Sequence, residues 1–305
     1  MSGDSRDSRD SSDSRNSARA TISTPDKDET FSSKYVEISY LGKGAFGSVY
    51  NAERMVDNKM FAVKMIPAKY KKTCENEVAI LKKLPNHSNV CGFVEYFEDS
   101  SNMYIVLEYI PGQDLYNYLL PYLGEIELGK MEFAKIPHIL SILQQCIEAI
   151  AVIHSAGICH RDIKLENFMV TFEKGLPVVK LIDFGLSEDI DKISNKIVGS
   201  PLWIAPEVIR KGEIYPISQK SDLWSFGIIL LEVFLGKPPI DLPNTKDTLV
   251  KIASLTSPPI PQKLRSEKTA AGIWLCSIAK LCLQINPVQR QSAEQMVMLS
   301  KTASF

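Results

Sequence analysis

Apolar and polar positions fall into three successive regimes along this chain. The first has no apolar pattern: MSGDSRDSRDSSDSRNSARATISTPDKDET contains almost no large apolar side chain. Such a stretch cannot bury enough surface to offset the entropy lost on ordering, so residues 1–31 are expected to be a disordered tail. From Lys34 the period becomes two. Tyr35–Leu41 alternates, glycines interrupt it, and Ser48–Ala52 resumes it; Lys59–Ile66, Val90–Glu98 and Met103–Tyr109 are further strand candidates. Among them, Glu75–Leu84 has helical spacing, with Val78, Leu81 and Leu84 on one stripe and Lys82 and Lys83 outside it. A small, largely antiparallel sheet with one helix fits this stretch.

After Pro111-Gly112 the period turns helical. Asp114–Leu120, Ile136–Ser155, Ser221–Leu235, Thr248–Ser254 and Ile273–Gln284 all suit amphipathic or buried helices, whereas Gly124–Gly129 reads as a loop. The expected fold class is α+β: a tail over 1–31, a small β-rich lobe over 35–110 and a larger helical lobe over 111–300. The joint lies near Glu108–Gly112, and the cleft between the lobes is the expected ligand site. No internal repeat is evident.

Composition narrows the function classes. The 305 residues are 45% hydrophobic and 23% charged, enough to build a core. Lys and Arg number 35 against 36 Asp and Glu, a net charge of −1, which excludes a globally basic nucleic-acid binder. The tail resembles an arginine–serine segment, but Asp4, Asp7, Asp10 and Asp13 cancel its arginines, so a plain flexible tail is the preferred reading and no nucleic-acid partner is expected. The best apolar run, Gly227–Leu235, is short and interrupted by Glu232, so no membrane partner is expected. Cys74, Cys91, Cys146, Cys159, Cys276 and Cys282 form no metal-ligand spacing. They are expected as buried reduced thiols in a soluble protein of a reducing compartment, cytoplasmic or nuclear. His87, His138 and His154 are read as surface or satisfied core positions.

The chemistry lies in a few short motifs. Gly42-Lys-Gly44-Ala-Phe-Gly47-Ser-Val49 is a GxGxxGxV run, weak evidence by itself. Strand-like sequence on both sides argues for a hairpin whose backbone N–H groups approach phosphates; an ordinary glycine turn is the bland alternative. Lys64, in Phe61-Ala62-Val63-Lys64, then reads as a phosphate-contacting cation, with Glu77 in the following helix as its ion-pair partner and Glu75 as the nearest competitor. His160-Arg161-Asp162-Ile163-Lys164-Leu165-Glu166-Asn167 is far more specific. Asp162 can orient or accept the proton of an attacking hydroxyl, Lys164 can neutralise a transferring phosphoryl group, and Asn167 can hold a metal ion. Asp183-Phe184-Gly185 adds a carboxylate suited to Mg²⁺, and Ala205-Pro206-Glu207 closes the segment.

In this order and spacing, these motifs identify the chain, from about Tyr35 to about Met298, as similar to the eukaryotic-type protein kinase family. The resemblance implies a bilobal fold with ATP as co-substrate in the cleft, Mg²⁺ (with Mn²⁺ as alternative) on Asn167 and Asp183, and protein substrates. It implies nucleotide contacts from Leu41, Gly42, Gly44, Gly47, Val49, Ala62, Lys64 and Met169. Hinge hydrogen bonds are implied at the Glu108 and Ile110 backbone, with Leu107 guarding the back pocket. Asp162, Lys164, Lys64 and Glu77 are the implied catalytic set. Asp222-Leu-Trp-Ser-Phe-Gly227 resembles the helix that anchors the large lobe, and Arg290 the arginine that pairs with the glutamate of Ala-Pro-Glu, here Glu207. Retention of Lys64, Glu77, Asp162, Asn167 and Asp183 argues against a scaffold that has lost catalysis. Gly199-Ser200-Pro201 and Ala-Pro-Glu argue for a protein rather than a small-molecule acceptor.

Lys164, two residues after Asp162, resembles the serine/threonine type, and Ser200 keeps a hydroxyl that can bond Asp162 and Lys164. Asp114 and Glu166 stand where acidic residues favour an arginine two or three residues before the target. Alternatively, Asp114 binds ribose and Glu166 is an ordinary loop residue. Ile197, Pro201 and Ile204 are candidates for an apolar pocket after the target. Arg9-Asp-Ser-Ser12 and Arg19-Ala-Thr21 are candidate autophosphorylation sites. Lys196 falls where related kinases carry a phosphorylated threonine, with Arg161 the usual phosphate partner. Either Ser194 takes that role, or Lys196 and acids such as Asp189 and Asp191 order the segment without phosphate, the preferred reading. Lys164-Leu-Glu-Asn-Phe168 resembles the calcium/calmodulin-dependent kinase group. The region Pro121–Ile136 is read as a variable loop or docking insert, and the regulatory partner is unknown.

Overall fold

The computed structural model describes residues 30–44, 46–192, 196–210 and 218–302. Residues 1–29, with the candidate sites near Ser12 and Thr21, and Ser194 lie outside them. Thr30 and Phe31, assigned by composition to the tail, open the described structure. The short helix α1 (Phe31–Lys34) sets Phe31 against Tyr35 and Tyr104, with ring centroids 5.9 and 5.2 Å away. Tyr35, Phe97 and Tyr104 are buried beneath it in a separate small core with Ala52, Val63 and Val106.

The alternating stretches form one antiparallel sheet in the order β1-β2-β3-β5-β4, from β1 (Tyr35–Lys43), β2 (Ser48–Arg54), β3 (Lys59–Pro67), β4 (Phe93–Glu98) and β5 (Asn102–Glu108). In this register Lys64 lies opposite Val49 and Ile105, and Ala62 opposite Leu107. Helix α2 (Lys71–Lys83) packs on the sheet through Cys74, Val78, Ile80 and Leu81. Its buried stripe also carries Glu77, a charge on an apolar face.

Beyond the hinge, β6 (Gln113–Asp114) leads into α3 (Leu115–Glu127) and α4 (Ile139–Ser155), then β7 (Ile158–Cys159). The hairpin β8 (Phe168–Glu173) and β9 (Leu176–Leu181) floors the cleft, and β10 (Glu188–Asp189) pairs with β7. The rest is α5 (Pro206–Ile209), α6 (Gln219–Leu235), α7 (Thr245–Ala253), α8 (Gln262–Arg265), α9 (Ala270–Cys282) and α10 (Ala293–Thr302). Helix α6 is buried along nearly its whole length, which is why its sequence is apolar on all sides. All six cysteines are free and buried. Among the described residues no helix is long and apolar enough to cross a membrane.

The loop expected at Gly124–Gly129 is corrected. Helix α3 runs through Glu127 because Leu115, Leu119, Leu123 and Ile126 continue one buried stripe, and Gly124 faces open space, where its missing side chain costs no packing. The helix stops where Gly129 takes φ +71°.

Candidate active site

A cleft of about 540 Å³ opens between the sheet and the helical half. Its roof is Leu41, Gly42, Gly44, Val49 and Ala62; Leu107–Ile110 form its back edge; Met169, Asn167 and Asp183 lie on its floor. Of the residues expected to meet nucleotide or metal, only Gly47 is absent from this lining. Its role is packing: a Cβ there would fall 2.1 Å from the Met65 carbonyl oxygen, so β2 and β3 could not approach. A Cβ on Gly42 would meet nothing within 4 Å, and one on Gly44 would sit 3.7 Å from the Lys64 side chain. Those two glycines therefore keep the roof open beside the lysine.

Strand β3 buries Lys64, and its Nζ donates to Glu77 Oε1 at 2.6 Å and to Asp183 Oδ1 at 2.9 Å. This resolves the choice between Glu75 and Glu77 in favour of Glu77. Burial alone would push the Lys64 ammonium down, but the two carboxylates outweigh it and hold it above its ordinary value. Burial pushes the Glu77 carboxyl up, against the pull of Lys64. Glu77 Oε2 is buried without a hydrogen-bond partner among the described residues. Asp183 has φ +56°, which turns its carboxylate into the cleft, where the side chain is 40% exposed. Burial works against its ionised form, yet the Lys64 charge keeps its carboxyl below the usual range. The aligned Phe184 is buried against His160, centroids 5.2 Å apart.

The loop after β7 is held from below by Asp222 of α6. The Asp222 carboxylate accepts the backbone N–H groups of His160 and Arg161, each at 2.8 Å, and lies 2.9 Å from His154 Nε2. His154 is thus a satisfied core histidine, and His160, 3.0 Å from the Ile182 carbonyl oxygen, is a packing residue. Asp162 projects from this fixed loop. Its Oδ1 accepts from the Ser200 backbone N–H at 2.9 Å and the Ser200 hydroxyl at 2.8 Å. Its Oδ2 pairs with Lys164 Nζ at 3.0 Å, and Lys164 also donates to Ser200 Oγ at 2.9 Å. Asn167 Nδ2 donates to the Asp162 carbonyl and carboxylate, at 2.7 and 3.1 Å. Gly199 makes this approach feasible: it has φ +101°, and a Cβ there would fall 2.4 Å from the Arg161 carbonyl oxygen.

At the hinge the Glu108 N–H is already donated to the Gly92 carbonyl at 2.8 Å, so only its carbonyl can serve a ligand in the expected way. The Glu108 side chain is held by Lys180 at 3.0 Å and by the Gly92 N–H at 3.1 Å. Burial pushes the neighbouring Cys91 thiol up to about 12, so it stays protonated.

Two acidic residues emerge that the motifs did not single out. Glu188 pairs with Arg161 at 2.7 Å. Glu232, the charge inside the apolar run of α6, accepts from Trp203 Nε1 at 3.0 Å and is pushed up to about 7 by burial, with Trp203 opposing and the Glu166 charge adding. Of the acids expected to order the segment, Asp189 pairs with Lys83 and accepts the Asp191 N–H. Asp114 is the N-cap of α3, both carboxylate oxygens taken by Asn117.

A family model described as protein kinase domain matches residues 35–300. The serine/threonine-protein kinase STE20 of Saccharomyces cerevisiae is 28% identical over 275 residues, 87% of this chain and 27% of its own length. The serine/threonine-protein kinase pakG of Dictyostelium discoideum is 30% identical over 262 residues, 84% of this chain and 20% of that protein. The mitogen-activated protein kinase kinase kinase mkh1 of Cytospora mali is 29% identical over 292 residues, 90% of this chain and 15% of that protein. The chain thus spans about a quarter or less of the length of these relatives. None of the three carries a name from the calcium/calmodulin-dependent group. The loop that suggested that group has Leu165 and Phe168 buried, so packing accounts for these two apolar residues without a group assignment.

Proposed function

Since the chain belongs to the protein kinase domain family, we propose that it is an active serine/threonine protein kinase that transfers the γ-phosphoryl group of ATP to hydroxyls of protein substrates. Residues 35–110 and 111–300 act as its two lobes. The observation that carries this reading is the shared Asp162–Lys164–Ser200 bonding beside the Lys64–Glu77–Asp183 ion network. A lost-function scaffold has no reason to keep both networks, which meet at Asn167, bonded to Asp162 and lining the cleft beside Asp183.

Lys64, fixed by Glu77, binds the nucleotide phosphates under the open Gly42–Gly44 roof. Val49, Ala62 and Met169 take the base between them, and the Ile110 N–H and Glu108 carbonyl read its edge. Asn167 and Asp183 suit a hard cation: both line the cleft, and both offer oxygen donors. Magnesium bound there supplies charge neutralisation along the phosphates. Asp162 exchanges its bond to the Ser200 hydroxyl for one to the substrate hydroxyl, orients it for in-line attack and takes its proton. Lys164, already bonded to Asp162, places its positive charge where the transferring group accumulates negative charge.

For the substrate we favour an arginine upstream of the target. Its partners are Glu166 and Glu232 rather than Asp114, whose carboxylate is committed to capping α3. The six buried free thiols fit a reducing compartment, cytoplasmic or nuclear. The relatives' names favour a place among the STE20, PAK and MAP3K kinases.

Labelled γ-phosphate transfer from Mg-ATP to Ser, Thr and Tyr peptides tests this reading, with the full chain and Asp162→Asn side by side. The expected result is labelling of Ser/Thr peptides that the variant loses about 100-fold or more, with ATP binding retained. Equal labelling by both proteins, or none by wild type despite Mg-ATP binding, overturns it.

A further inference from the structure

The segment after Gly185 is tied at once to α2 and to the catalytic loop. Towards α2, Asn76 Nδ2 donates to the Ser187 carbonyl at 3.0 Å, and Lys83, at the last residue of the helix, pairs with Asp189. Towards the loop, β10 pairs with β7, Ser187 Oγ donates to the His160 carbonyl at 3.3 Å, and Glu188 Oε1 takes Arg161 Nη1 at 2.7 Å. Arg161 Nη2 donates to the Lys196 carbonyl at 2.7 Å, across the segment. The Arg161 side chain is 4% exposed. It is held at φ +70°, an uncommon conformation that its Asp222-bound N–H and these partners sustain.

Adjacent residues of β10 point in opposite directions. Glu188 therefore reaches the catalytic loop while Asp189 reaches α2, and two consecutive carboxylates join the two halves of the site. Helix α2 carries Glu77, which holds Lys64. The path from Asp162 to Lys64 runs through Arg161, Glu188, Asp189 and Lys83 and then along α2 to Glu77, and its two ion-pair links use the protein's own carboxylates.

We infer that Glu188 and Asp189 form a built-in latch that keeps α2 and Glu77 in working position without any phosphate on the segment. The inference rests on the kinase reading of the site and concerns its regulation; Glu188 is a positioning residue. An acid already occupies Arg161, and a phosphate brought there would meet the Glu188 carboxylate as a like charge. The charge-assisted bond to Glu188 supplies what a phosphate would otherwise provide.

The test uses the full chain, with and without treatment by a protein phosphatase, its phosphate content read by mass spectrometry. Wild type, Glu188→Gln and Glu188→Asp are compared for peptide phosphorylation and for hydrogen exchange of residues 71–83. Phosphate-free wild type should keep its kcat within about twofold. Glu188→Gln should lose about 100-fold in kcat with little change in peptide KM, the cost of misplacing a catalytic group. It should also exchange faster in 71–83, and Glu188→Asp should recover most of both. A tenfold loss on phosphatase treatment overturns the latch, as does a Glu188→Gln protein with unchanged kcat and exchange. If wild type is inactive in both states while exchange in 71–83 still depends on Glu188, the kinase reading falls and the latch stands. If Glu188→Gln does not fold, the phosphatase comparison, which needs no variant, decides.

Discussion

Two buried ion pairs, one in each half of the molecule, use the same chemistry and are completed to different degrees. In the helical half Arg290 grips Glu207 bidentately, Nη1 to Oε1 at 2.6 Å and Nη2 to Oε2 at 2.8 Å. Ser221 Oγ adds to Oε1, while the guanidinium also serves the carbonyls of Gln284 and Lys220 and lies 5.1 Å from the Trp224 ring. In the sheet half Lys64 is divided between Glu77 and Asp183, one Glu77 oxygen has no partner among the described residues, and Asp183 opens to the cleft. A closed pair serves as structural glue. A pair left open at a cleft can rearrange around an incoming polyanion without breaking the core.

Removing one partner from each pair separates these roles. Glu207→Ala strands a fully buried guanidinium, and we expect a loss of about 3–5 kcal/mol in urea unfolding. A loss below about 1 kcal/mol would show that the pair is not structural glue. Lys64→Met should act the other way. Burial already pushes the Glu77 carboxyl up and Asp183 faces the cleft, so the carboxyls adjust and the stability loss stays below that of Glu207→Ala, at no more than about 3 kcal/mol. Phosphate transfer should fall about 100- to 1,000-fold, as on losing one preorganised charge. Thermal unfolding run beside the transfer assay reads both, and a Lys64→Met protein as unstable as Glu207→Ala would erase the distinction.

The same contrast explains what was legible in the sequence. Lys64, Asp162, Asn167 and Asp183 are readable because each sits in a motif whose spacing is fixed by one loop or one strand, whereas Glu77 is read only from its place on the helix that follows, with Glu75 as competitor. Glu188 is not readable, since its partner is 27 residues away and only the β10–β7 pairing brings them together. Glu232 did leave a signal, a lone charge within an apolar run, but it was read as an interruption of the run rather than as a buried acid. In the fold, alternation located all five strands of the main sheet, while β8 was missed and α3 was cut short at Leu120. There the local glycine signal of Gly124 lost to the tertiary burial of Leu123 and Ile126.

Glu232 offers a third, intermediate case, a buried acid with no cation beside it among the described residues. Its carboxyl is pushed up to about 7 from an ordinary 4.5 by burial. A value raised on folding contributes stability that is fully present below the unfolded value and lost as pH rises through the folded one. Stability should therefore decline between about pH 4.5 and pH 7, by at most about 3 kcal/mol from this group. Glu232→Gln should flatten that window in unfolding curves. Preference for an arginine peptide over its glutamine counterpart should strengthen from pH 6 to pH 8 in wild type as the carboxylate ionises. A pH-independent preference would remove Glu232 from substrate recognition.

The smallest expected effect concerns Ser194, which lies outside the described residues. If Arg161 depended on an added phosphate, its site would resemble the open Lys64 pair, with charge held ready for a ligand. Instead Arg161 is 4% exposed and engaged by Glu188 and the Lys196 carbonyl, closer in kind to Arg290. A guanidinium so engaged gains little from a second anion that must displace the first against its repulsion. Ser194→Ala should therefore keep peptide phosphorylation within about twofold of wild type. A collapse of activity in that variant, with phosphate found on Ser194 of the wild-type protein, would move Arg161 into the class of open sites and make Glu188 a placeholder for phosphate.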